Sequence, residues 1–204
     1  MLFPVFLKLA GRRCLVVGAG KVAEAKIESL LTAAAKIRVV APRSTQTIQR
    51  WAREKRISWD PRPFEPADLK RISLVITATD LETVNQLVFQ EACARGILCN
   101  SVDDPEHCDF YCPAIVRRGP LQIAISTSGN SPALAQRLRL DLEKQFGPEY
   151  ECWVRSLGEA RASLLARSLL PYQRRSWLHN IASDWSFRKF RRTGRRSLGG
   201  ERSR

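Results

Sequence analysis

An α/β fold is expected, with a parallel sheet first, a hairpin and long helix next, and a small helical region last. Three observations predict it. Over the first hundred residues, short apolar runs such as CLVV (14–17) and LVIT (74–77) alternate with stretches of helical period, the pattern of strands joined by right-handed crossovers. After Pro113 that alternation stops, and two short strands flank the tight turn RRGP. Hydrophobic residues make up 44% of the 204, enough for a packed core, yet no run approaches the roughly 18 apolar residues of a membrane span.

In order, Cys14–Val17 reads as a buried strand and 21–34 as a helix with Val22, Ala23, Ile27, Leu30 and Leu31 at helical spacing. Ile37–Val40 is a strand ended by Pro42, 45–55 a helix, 57–59 a short strand, and Leu74–Thr77 a buried strand. A helix over 83–95 is closed by Gly96 in the position where left-handed backbone is needed, and 97–100 is the next strand. Strands at 114–116 and 121–126 make an antiparallel hairpin. After the polar loop TSGNS, Ser131 caps a helix with Pro132 at its first position, running to Phe146. Helix is expected over 149–170, broken by Pro171, and again over 172–183.

The first strand runs into Gly18-Ala19-Gly20-Lys21-Val22-Ala23, a G-x-G-x-x-A turn that opens the first helix. Gly18 permits the tight turn, Gly20 lets the backbone approach a pyrophosphate, and Ala23 keeps helix and sheet close. The helix terminus offers its N–H groups to the phosphates. In a strand–turn–helix setting this is the fingerprint of a Rossmann-type dinucleotide site; a tight turn that binds nothing is the bland alternative. The second strand ends in VVAPRS, without the acidic residue that usually holds the ribose hydroxyls. Pro42 and Arg43 stand there instead, and Arg43 suits a 2′-phosphate, which leaves NAD and NADP both open. Thr79, in the TATD turn after the fourth strand, keeps the sheet edge small enough for a cofactor. Asp103, after the fifth, is at the carboxyl edge where a base would stand, beside its competitor Asp104.

The net charge of +14 is uneven: residues 151–204 carry +9 and the other 150 only +5. From 187 onward the chain is read as a basic, unstructured tail. With no reading module beside it, nucleic acid is not expected as a partner. None of the six cysteines forms a CxxC pair; Cys14 and Cys99 fall in strands, as buried hydrophobes do. His107, Cys108 and Cys112 match no zinc template, and no metal site is expected. At the amino terminus the charges follow the apolar stretch, unlike a secretory signal, so the protein is read as cytoplasmic and free of membrane.

These motifs together identify a resemblance. CLVVGAGKVAEAK (14–26), TATD (77–80), CNSVDDP (99–105) and FYCPAIVRRGPLQIAISTSGNSPALAQRLRLDLE (110–143) resemble the precorrin-2 dehydrogenase family, the amino-terminal part of siroheme synthases, some of whose members also insert iron. The resemblance covers about residues 4–146 and, more loosely, to 185. It implies a Rossmann domain over 1–112, a dimerisation region over 113–147, a helical domain over 148–186 and an unmatched tail over 187–204, working as a homodimer. It implies NAD as hydride acceptor, with Gly18, Gly20, Lys21, Val22, Pro42, Arg43 and Thr79 at the cofactor. Precorrin-2 is the implied substrate and sirohydrochlorin the product, with Asp103 as catalytic residue and Asn100, Thr127, Ser128 and Asn130 at the tetrapyrrole. Thr127 stands where some relatives carry a phosphorylated serine. The eight substrate carboxylates suit forked pairing with Arg117, Arg118, Arg137 or Arg139. Iron insertion is left open. The competing reading is an NAD-sensing regulatory module that does no chemistry.

Overall fold

A computed structural model describes residues 2–167 and 170–193, and the chain divides after Cys112 into two compact units. In the first, β1 (Arg13–Val17), α1 (Lys21–Thr32), β2 (Lys36–Val40), α2 (Gln46–Arg53), β3 (Ser58–Asp60), β4 (Leu74–Thr77), α3 (Glu82–Ala94) and β5 (Leu98–Ser101) follow one another. The five strands are parallel, in the order β3-β2-β1-β4-β5. Successive residues of a strand face opposite sides of the sheet. Cys14 and Val16 of β1 thus join one core with Ala23, Ile27, Ile37 and Ile48, and Leu15 and Val17 join the other with Val75, Val88 and Cys99.

The register decides where a site forms. Val17 pairs with Val40 on one side and with Thr77 on the other, and Thr77 pairs with Ser101. The carboxyl ends of β1, β2, β4 and β5 therefore share one row. The chain leaves β1 for β2 on one side and returns to β4 on the other, and a crevice opens at such a switch point.

The sheet's outer edge is held by charge. Arg38 on β2 pairs with Asp60 at 2.5 Å and with Asp68 at 3.1 Å, and Arg62 donates to both carboxylate oxygens of Asp68 at 2.5 and 2.9 Å. Asp68, in the short turn Pro66–Leu69, is 2% exposed. Burial alone would push its carboxyl up; the Arg62 hydrogen bonds, the Glu65 amide and the nearby charges of Arg62 and Arg38 outweigh that and hold it below the usual carboxylate range.

The second unit begins with a two-stranded antiparallel ribbon, β6 (Ala114–Arg118) and β7 (Leu121–Ile125), turning at Gly119, whose φ is +55°. Four helices follow: α4 (Pro132–Gln145), α5 (Glu149–Leu165), α6 (Pro171–Ile181) and α7 (Asp184–Thr193). Ser131 caps α4 through its side chain, which accepts from the Leu134 amide at 3.2 Å. Arg118 anchors the ribbon by donating to the carbonyls of Phe146 and Glu143 at 2.7 and 3.1 Å.

Several sequence expectations need correction here. β6 runs on through Arg117 and Arg118, whose backbones stay in the ladder opposite Gln122 and Leu121. α5 stops at Leu165 instead of 170, and the next helix starts with Pro171 at its first turn, where a missing N–H costs nothing. Residues 187–193, read as unstructured tail, belong to α7. Phe187 and Phe190, three apart on one face, pack on Tyr150 and Trp153 with ring centroids 4.5–5.6 Å apart. The rest of the expected tail, 194–204, lies outside the described residues.

Candidate dinucleotide site and sheet-edge aspartate

Gly18 is enclosed between strand ends. Its φ is +105°, and a Cβ there would stand 2.2 Å from the Ala78 carbonyl oxygen, so no side chain fits. Its amide donates to the Val40 carbonyl at 3.0 Å, and the Thr45 amide donates to the Ala19 carbonyl at 3.1 Å. The glycine turn is thereby tied to the segment after β2. Gly20 is different: it caps α1, it is exposed, and a Cβ on it would meet nothing within 4 Å. No side chain caps α1. Open space in front of an uncapped helix terminus, reached across a residue with no Cβ, is the shape a pyrophosphate requires. Ala23 is fully buried against the sheet, and Lys21 and Val22 are exposed at the first turn. The residues present fit a dinucleotide.

Around this turn the polar groups divide into spent and unspent. Thr79 is spent: its hydroxyl donates to Asn85 Oδ1 at 2.8 Å and accepts from the Leu81 amide at 3.2 Å. Asn85 returns a bond to the Thr79 carbonyl at 3.0 Å and also meets the Thr77 hydroxyl. Thr79 thus shapes the turn beneath a cofactor. Asn85, 8% exposed on α3, is the residue the sequence reading missed; an Asn inside an apolar helical pattern was its only signal. Unspent are Ser44 Oγ, Asn100 Oδ1 and Ser101 Oγ, three enclosed atoms without a hydrogen-bond partner. All three stand at or just beyond the carboxyl ends of β2 and β5. Orphaned polar atoms are rare enough to need a cause, and a ligand at this edge supplies one.

The loop after β5 separates the two candidate aspartates. Asp104 is occupied: its carboxylate meets His107 Nδ1 at 2.6 Å, and its carbonyl accepts from the Cys108 thiol. His107 also packs edge-on against Phe89, with centroids 4.9 Å apart. Cys108 returns toward β5, bonding the Ser101 carbonyl at 3.0 Å, and the Asn100 amide braces the loop by donating to the Phe110 carbonyl at 2.8 Å. Asn100 is 5% exposed and serves here as a strut. Asp103 is the residue this bracing leaves out. It is exposed, has φ +62°, and makes no hydrogen bond or ion pair among the described residues. Asp tolerates left-handed backbone better than most residues, and the turn holds its carboxylate out from the sheet edge.

Cys14 and Cys99 lie in the core. Burial pushes the Cys14 thiol up to about 11 and the Cys99 thiol up to about 12, which keeps both protonated and inert. Among the described residues no three of His, Cys, Asp and Glu come together as a metal site, and no helix is long and apolar enough to cross a membrane.

Thr127, Ser128 and Asn130 belong to the second unit, in the loop between β7 and α4. Thr127 Oγ1 accepts from the Ser131 amide at 3.1 Å, and Asn130 donates to the Thr127 carbonyl at 2.8 Å. Both hold the loop's shape, while Ser128, at φ +52°, is exposed at its tip. The four arginines divide as well. Arg118 is committed to backbone carbonyls and Arg139 to Glu143 at 2.6 Å, whereas Arg117 and Arg137 have no partner among the described residues.

Fold and glycine turn define a dinucleotide-binding protein, and the family model described as "Putative NAD(P)-binding" matches residues 5–114. The chain belongs to that family, and a second model, "Sirohaem biosynthesis protein central", matches 118–145. The siroheme synthase of Nitrosococcus oceani is 42% identical over 147 residues, which is 72% of this chain and 31% of that protein. That of Methylobacillus flagellatus is 40% identical over 178 residues, 87% of this chain and 38% of that one. The chain thus spans about a third of the length of these relatives. Among solved structures, the precorrin-2 dehydrogenase SirC is 28% identical with a TM-score of 0.77, covering 94% of this chain and 98% of SirC.

Proposed function

We propose that this chain oxidises precorrin-2 to sirohydrochlorin with NAD, as a cytoplasmic homodimer. The observation that carries the reading is the pairing, at one sheet edge, of an open glycine cradle with an unpartnered carboxylate, Asp103. The near-complete coverage of a precorrin-2 dehydrogenase supports the choice of substrate. An NAD-sensing module would have no use for that carboxylate, and none of the relatives favours one.

Held in the Gly18–Gly20 cradle, NAD would supply the acceptor for a hydride from a carbon of the macrocycle. The protein's own part is to hold and to deprotonate. Gly18 and Gly20 shape the pyrophosphate cradle, Lys21 and Val22 flank it, and Pro42 and Arg43 border the adenosine end. Asp103 accepts the proton that the macrocycle loses, a role in which a positioned carboxylate contributes roughly 10²–10⁴-fold. Asp104 stays with His107 and orients the loop. Of the four arginines weighed for the substrate carboxylates, Arg117 on β6 and Arg137 on α4 have no side-chain partner among the described residues, and Ser128 at the tip of the β7–α4 loop offers its hydroxyl.

The burial pattern supports the dimer. In the second unit only Val116, Ala135, Trp153, Leu164 and Ser186 are buried among the described residues, while Leu134 and Leu138, one turn apart on α4, remain 39% and 37% exposed. A two-stranded ribbon is marginal alone, and an isologous partner would cover it and α4 together. Under anaerobic conditions, the purified chain should convert precorrin-2 to sirohydrochlorin with equimolar NADH. Binding of NAD without turnover of precorrin-2 would defeat the reading. A parallel assay with ferrous ion reports on iron insertion separately.

A further inference from the structure

The segment after β2 carries more information than the absence of an acid. In NAD-selective Rossmann sites a carboxylate at this strand end holds the ribose hydroxyls and repels a 2′-phosphate. Here Asp60 and Glu24, on the elements that flank this segment, are already committed. Asp60, at the end of β3, pairs with Arg38 at 2.5 Å and lies 3.8 Å from Arg62. Glu24, on the first turn of α1, pairs with Lys21 at 3.1 Å; a hydrogen bond from Thr45 foremost, and Lys21 beside it, hold its carboxyl below the usual range. Arg43 is exposed and has no hydrogen bond, ion pair or ring contact among the described residues. It sits between Val40, which anchors the Gly18 amide, and Thr45, which anchors to the Ala19 carbonyl. Beside it the Ser44 hydroxyl is one of the three orphaned atoms. The uncommitted charge at the adenosine end of the site is therefore positive.

We infer that Arg43 and Ser44 form a subsite for a 2′-phosphate on the adenosine ribose, so that the enzyme takes NADP as well as NAD. This rests on the dinucleotide site proposed above. A guanidinium pairs with phosphate by charge-assisted, forked hydrogen bonds, and the Ser44 hydroxyl can donate a further one. NAD presents only ribose hydroxyls there, which need neither group.

The test is titration calorimetry of the full chain with NAD and NADP, for the unmodified protein, Arg43→Ala and Arg43→Glu. The unmodified protein should bind NADP with a Kd within about tenfold of that for NAD. Arg43→Ala should weaken NADP at least tenfold more than NAD, and Arg43→Glu should widen the gap to about a hundredfold or more. Stronger competition by 2′,5′-ADP than by 5′-ADP, with the difference lost in Arg43→Ala, would locate the effect at the ribose phosphate. Tight NAD binding with NADP more than a hundredfold weaker in the unmodified protein would overturn the inference and spare the dinucleotide site. Equal weakening of both cofactors in Arg43→Ala would also overturn it, assigning Arg43 to a part that the two cofactors share. Binding of neither cofactor to any of the three proteins would sink the dinucleotide site and the subsite together.

Discussion

The two units solve folding in opposite ways. Residues 1–112 carry a net charge of +3 and residues 113–204 one of +11. In the first, strands buried on both faces give a double core in which Cys14, Leu15, Val16, Val39, Val75 and Val88 are wholly inaccessible. In the second, an aromatic cluster around Trp153 holds the helices, and α4 buries one residue of fourteen. The first unit is complete by itself and is where a cofactor meets a rigid edge. The second leaves leucines of α4 exposed and Arg117 and Arg137 without side-chain partners among the described residues.

That contrast can be broken at single positions. Within the first unit, Gly18→Val and Gly20→Val should fail differently. The former drives a branched side chain into the Ala78 carbonyl at a backbone angle that disfavours it. We expect it to cost about 3 kcal/mol or more, lowering Tm by roughly 6–12 °C in a calorimetric scan. Gly20→Val should melt as the unmodified protein does and lose NAD affinity by about a hundredfold, since its side chain enters open space. Equal melting of the two variants would remove the distinction between a packed and an open glycine.

In the second unit the break should appear in assembly. Leu138→Asp sets a charge in the exposed face of α4 and should raise the dimer dissociation constant by about a hundredfold, read as a shift toward monomer mass in light scattering at micromolar concentration. A protein that is monomeric before the substitution would contradict the dimer.

The smallest effect belongs to the edge of the first unit. Because the Asp68 carboxyl is held below its unfolded value, its contribution to stability is present above the unfolded pKa of about 4 and is lost as pH falls through the lower folded value. Asp68→Asn should therefore cost about 1–3 kcal/mol at neutral pH. Its stability should change less than that of the unmodified protein in denaturant titrations below about pH 4. Parallel acid sensitivity of the two proteins would show that Asp68 is not a source of it.

What could be read in advance follows the same division. The run Leu74–Thr77 matches β4 at both ends, because a strand buried on both faces must be apolar throughout and its neighbours are not. The glycine turn and the place of Asp103 at the sheet edge were legible because both depend on position along the chain. The second unit was harder: a helix such as α7, with Phe187 and Phe190 among four basic residues, resembles a solvated tail until Tyr150 and Trp153 are there to receive the rings. Contacts between distant residues were invisible for a related reason. Nothing local pairs Arg38 with Asp68, and the sequence alone does not show that Asp104 is bound to His107 while Asp103 has no partner among the described residues.

That last difference is the centre of the account and the most direct place to test it. Precorrin-2 oxidation should be measured for Asp103→Ala and Asp104→Ala beside the unmodified protein, with NAD affinity and molecular mass determined on the same samples. The account predicts that Asp103→Ala binds NAD and dimerises but loses at least about a hundredfold in kcat, while Asp104→Ala keeps most of its activity. Full activity in Asp103→Ala, or a greater loss in Asp104→Ala, would contradict the assignment of the free carboxylate as the base.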